Sequence, residues 1–71
     1  MSRKDDIDSL QAVLTWAYAK KNEYEKLTED AYNKELEGSD ERDSQFFEGI
    51  ATGLGSAIIH IEAAIDTLNR R

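Results

Sequence analysis

The chain lacks cysteine and proline altogether. Without cysteine there are no disulfides and no thiolate metal ligands. Without proline, no residue forces a break in a helix. Histidine occurs once, as His60, so a metal site would have to recruit carboxylates at matching positions. The helical spacing Glu-x-x-His fails because position 57 is alanine, and Glu62 falls on a different helical face. Basic residues are also scarce. Nine Lys and Arg stand against fifteen Asp and Glu, a net charge of −6. That balance disfavours direct contact with a nucleic-acid backbone. No secretion signal is expected from this pattern, since Asp5, Asp6 and Asp8 follow Arg3 and Lys4 where an apolar run belongs. The nearest approach to a long hydrophobic run is Phe46 to Ile65, which Glu48, His60 and Glu62 interrupt. The expectation is a protein outside the membrane and cytoplasmic.

What remains fits a single helical domain of 71 residues. The acids Asp5, Asp6 and Asp8 suit the positive end of a first helix. From there Ile7, Leu10, Leu14, Ala17, Tyr24 and Ala31 recur at helical spacing, with Val13 and Leu27 widening the stripe. Lys21 and Thr28 fall inside that stripe, so the second half of the helix packs less well. Pairs such as Lys21 with Glu25 support it instead. The predicted helix spans about 4–37 and ends with Gly38 as a left-handed cap. Gly38, Ser39 and Asp40 are the turn, and Ser39 or Asp40 caps a second helix over about 41–69. So short a connection makes the helices antiparallel neighbours.

The second helix carries a seam of Phe47, Ile50, Leu54, Ala57, Ile61, Ala64 and Leu68, widened by Ile58 and Ile65. A smooth second face runs through Gly49, Gly53, Ser56, His60, Ala63 and Thr67, with Ile59 further round. Gly49 and Gly53 form G-x-x-x-G, a spacing that lets helix backbones approach closely. Neither phosphate-binding glycine pattern is matched, and no lysine follows. The glycines also leave room for a kink at Gly53–Gly55. A helix that is apolar or small nearly all round is an inner helix. The sequence therefore predicts an all-α fold: an antiparallel two-helix hairpin that dimerises into a four-helix bundle with the second helix inside. The expected oligomer interface is Gly49, Gly53, Ser56, Ile59, His60 and Ala63. If His60 lies near a two-fold axis, assembly becomes pH-sensitive.

Charge is uneven along the chain. Residues 23–48 carry ten acids against three cations, while 1–22 and 49–71 are close to balanced. The acidic tip Glu35, Glu37, Asp40, Glu41 and Asp43 is a candidate surface for a partner protein. No catalytic constellation, cofactor motif or metal site is present in the pattern, so the expected function is non-enzymatic. The leading reading is a small interaction protein that self-associates and binds or inhibits a protein partner. A phage or mobile-element modulator of a host transcription or defence factor suits this size and charge. A second reading is an oligomer that holds a nucleotide at the Gly-rich interface, with Lys20, Lys21, Arg70 and Arg71 as cationic groups. A third is a purely structural assembly subunit.

Overall fold

The computed structural model describes residues 3–36, 38 and 42–70. They form two antiparallel helices, α1 (Arg3–Leu36) and α2 (Arg42–Asn69), in a hairpin 54 Å long and 14 × 13 Å in section. Among the described residues there is no strand. Gly38 adopts φ +105°, the left-handed conformation that lets the chain leave α1 without a Cβ clash. Ser39 and Asp40, the candidate caps of α2, lie outside the described residues. Asp5 and Asp6 occupy the first turn of α1, Lys34 its last turn, and Asp43 the first turn of α2. Each sign complements the helix end on which it sits. No helix among the described residues is long and apolar enough to cross a membrane.

The seam follows alternating steps of three and four on both helices. On α1 it runs through Ile7, Leu10, Leu14, Ala17, Lys21, Tyr24, Thr28 and Ala31, all buried or half-buried. On α2 it runs through Ser44, Phe47, Ala51, Leu54, Ile58, Ile61, Ile65 and Leu68, again all buried or half-buried. The α2 seam differs from the sequence-based one. Ala57 and Ala64 are exposed, whereas Ile58 and Ile65, expected as the widening of the seam, are buried at its centre together with Ser44 and Ala51. This is a rotation of the helix by about 50°. The reason is bulk: burying two isoleucines removes far more apolar area from water than burying two alanines. Val13, expected at the edge of the stripe, is 47% exposed.

Two seam positions that break the apolar pattern are accommodated locally. Lys21 runs its stem past Gly55, where a Cβ would come within 3.4 Å of its Cε. Its ammonium then reaches Glu25 Oε1 at 3.1 Å, so the charge leaves the seam while the methylenes stay in it. Thr28 donates its hydroxyl to the Tyr24 carbonyl at 2.7 Å, which satisfies it within its own helix. Of Gly49, Gly53 and Gly55, only Gly55 faces α1, and a Cβ there would make an ordinary van der Waals contact with the Lys21 stem. At Gly49 and Gly53 an added Cβ would meet nothing within 4 Å. α2 is continuous through all three.

The core is thin. Ala17 is 1% exposed and Ile58 is 4% exposed, yet among the described residues no large side chain is fully enclosed. Leu10, Leu14, Tyr24, Phe47, Leu54, Ile61 and Leu68 are half-buried. Two helices can close only a line of contact, and each seam residue keeps a flank in water.

Candidate functional site

The hairpin has two long sides, and they differ in chemistry. One side holds two grooves. The larger, of about 570 Å³, lies toward the turn and is lined by Lys21, Glu25, Thr28, Glu29 and Tyr32 of α1 and Ser44, Glu48, Ala51 and Thr52 of α2. It opens there because Thr28, Ser44 and Ala51 are short and leave the seam shallow. The smaller, of about 230 Å³, lies toward the open end between Gln11, Leu14, Glu62, Ile65, Asp66 and Asn69. Between them Tyr18 sits beside Glu62 and donates its hydroxyl to that carboxylate. Partial desolvation of the ring, then the Glu62 charge and hydrogen bond, raise the Tyr18 pKa. The cation of Lys21 opposes the shift.

The opposite side is apolar. Next to the seam it presents Val13 and Leu27 on α1 and Ile50, Ala57 and Ala64 on α2, with Trp16 and Phe46 further out. Trp16 is 57% exposed and Phe46 is 64% exposed. An aromatic chain leads from the seam to this surface. Tyr24 and Phe47 have ring centroids 6.1 Å apart. Phe47 and Phe46 meet edge to face at 5.6 Å. Between Phe46 and Ala64, the α2 half of this side contains no Asp, Glu, Lys or Arg. Its charges are Lys20 and Lys34 on α1 and Asp43 at the start of α2, with Glu23 and Asp30 at the margin.

All of the interface residues expected from sequence are exposed: Gly49, Gly53, Ser56, Ile59, His60 and Ala63. They lie on the outward surface of α2, and none belongs to the seam with α1. Gly53 and His60 border the apolar side, whereas Ile59 lies toward the groove side. His60 donates from Nδ1 to the Ser56 carbonyl at 2.8 Å, which ties the ring along its own helix. Of the acidic tip, Asp43 is exposed at the start of α2. Glu37, Asp40 and Glu41 lie outside the described residues, as does the side chain of Glu35.

The cations considered for a nucleotide are engaged with acids. Lys20 contacts Glu23 at 3.1 Å, Lys21 contacts Glu25 at 3.1 Å, and Arg70 contacts Asp66 at 2.6 Å. Arg71 lies outside the described residues. These exposed pairs add little stability, but they leave no concentrated positive field for a phosphate. Among the described residues, no group of three or more His, Asp or Glu is placed to hold a metal ion.

Trp16 and Tyr18 stand on opposite flanks of the α1 stripe. The sequence pattern did not single out Val13, Leu27, Ile50 and Ala57 as one surface. The signal was present in their seven-residue spacing on each helix, but the two sets belong to different helices. Only the antiparallel register brings them to one side. Comparison with family models, curated proteins and solved structures finds no match to this chain.

Proposed function

We propose that the chain is a small, acidic, non-enzymatic interaction protein that self-associates and binds a partner protein. The observation that supports this is the apolar side. It exposes Val13, Trp16 and Phe46 and half-exposes Leu27 and Ile50 on a hairpin that fully encloses no large side chain among its described residues. A patch in which Val13, Trp16 and Phe46 adjoin Leu27 and Ile50 is characteristic of interaction surfaces rather than of bare solvent-facing helices, although Tyr18, Tyr32 and Ile59 are exposed outside it. A four-helix bundle is the arrangement that uses it, because each helix of a bundle buries its seam and one adjoining column. The acidic turn and the grooved side then face outward. Their excess of carboxylates favours a basic region of a partner over a nucleic acid. The pairing of Lys20, Lys21 and Arg70 with acids weighs against an anionic nucleotide in this role.

The test is solution mass by sedimentation or light scattering, for the natural chain and for Ile50→Glu. The natural chain is expected to be oligomeric. The variant is expected to shift toward monomer, because it places a carboxylate in the apolar side. A natural chain that is monomeric, with a mass unaffected by Ile50→Glu, removes self-association from the reading.

A further inference from the structure

We infer that a second copy of this chain covers the apolar side and docks antiparallel, with the two acidic turns at opposite ends of the assembly. This rests on the self-association proposed above and adds the orientation of the occupant. Three observations carry it.

The first is area. The chain exposes 5392 Å², whereas a folded monomer of its mass is expected to expose about 4,500 Å². The excess, about 900 Å², is close to the roughly 800 Å² per partner of a standard interface.

The second is charge. Residues 23–48 surround the turn and carry ten acids against three cations, a net of −7. Residues 1–22, at the open end together with the end of α2, have a net of +1, and residues 49–71 are neutral. Hairpins docked with their turns together would bring two such acidic regions within about 10 Å, the spacing of packed helices. That is close to the screening length in physiological salt, so the repulsion is only partly screened. Docking turn to open end puts the acidic regions a molecular length apart and sets each against the neutral or basic end of the other copy.

The third is shape. With Lys21 opposite Gly55, the antiparallel register puts Val13 level with Ala64 and Leu27 level with Ile50. Lys20 and Ala57 lie midway between these levels. Turning a second copy end over end about that midpoint brings the small Ala64 of one copy to the level of the large Ile50 of the other. Docking with turns together instead stacks the Leu27–Ile50 level on itself, bulk against bulk.

The experiment places a nitroxide on Asn33→Cys, the only cysteine in that variant. Asn33 is exposed near the turn, on the back of α1. Antiparallel docking predicts an inter-label distance of about 40 Å or more from the helical rise. Docking with turns together predicts less than about 30 Å. Oxidative cross-linking gives a second reading. Mixing Ala64→Cys with Ile50→Cys is expected to yield a covalent heterodimer, and mixing Ala64→Cys with Val13→Cys is not. A dimer with a short Asn33 distance, or with the reverse cross-linking preference, overturns the orientation and leaves self-association standing. A chain that stays monomeric at high micromolar concentration overturns the orientation and the self-association together.

Discussion

On one long side of the hairpin the residues beside the seam are Gln11, Tyr18, Glu25 and Tyr32 facing Glu48, Gly55, Glu62 and Asn69. On the other they are Val13, Lys20, Leu27 and Lys34 facing Asp43, Ile50, Ala57 and Ala64. The same two helices supply both sets, and the seam between them is shared. Yet the first side is indented, polar and acidic, and the second is apolar along most of α2. A side of the first kind is at rest in water, because its carboxylates and hydroxyls are solvated and its Lys21 is led out to Glu25. A side of the second kind leaves removable apolar area in water. The chemical asymmetry of this protein is therefore between its two sides more than between its two helices.

The comparison breaks most readily at the seam that both sides share. Ile58 is 4% exposed, so Ile58→Ala is expected to cost about 2–4 kcal/mol in denaturant unfolding. A loss near zero would mean that the seam is not where the hairpin is held. Next in size is the contrast between sides. Ala57→Glu on the apolar side is expected to weaken association by about tenfold or more, as the carboxylate would have to be desolvated. Thr52→Glu on the groove side should leave the mass unchanged. Equal effects from the two would erase the distinction between them.

A smaller effect is expected at Gly53, where an added Cβ meets nothing in the hairpin. Gly53→Ala should stabilise the isolated hairpin by about 0.8–1 kcal/mol through helix propensity. A loss of association alongside that gain would show that a neighbouring backbone approaches Gly53 closely. The smallest effect is electrostatic. The Tyr18 phenol is raised by partial desolvation and by Glu62. Glu62→Gln should bring it back toward the ordinary tyrosine range in an ultraviolet titration. The sign of the linked stability follows from the raised value. The contribution is present below the ordinary tyrosine pKa and is lost as pH rises through the folded-state value. Wild-type and Glu62→Gln stability curves should therefore converge at strongly alkaline pH.

Much of the hairpin was legible in the residues. The stripe on α1, the break at Gly38 and the apolar periodicity of α2 are local, and local rules read them. The positive φ of Gly38 is one such case, since a residue that must leave a helix left-handed is best a glycine. Ile58 and Ile65 were legible as a widening of the α2 seam, but their place at its centre was not. Two seams can be drawn through α2, sharing Phe47, Leu54, Ile61 and Leu68, and the choice depends on what α1 offers opposite. Gly55 shows the same limit. Its spacing with Gly49 and Gly53 groups the three together, yet Gly55 alone faces α1, beside the stem of Lys21.

The sequence by itself determined that the chain is two helices, that α2 is the more apolar of them, and that negative charge gathers around the turn. These follow from residue type and from periods of three and four, which a helix imposes without help from the rest of the chain. The tertiary structure decided which α2 residues meet α1 and which are left outside. It did so because antiparallel packing buries Ile58 and Ile65 first and turns Ile50, Ala57 and Ala64 to the same side as Val13 and Leu27. A side assembled from two helices has no period in either one alone, so it exists only once their register is fixed.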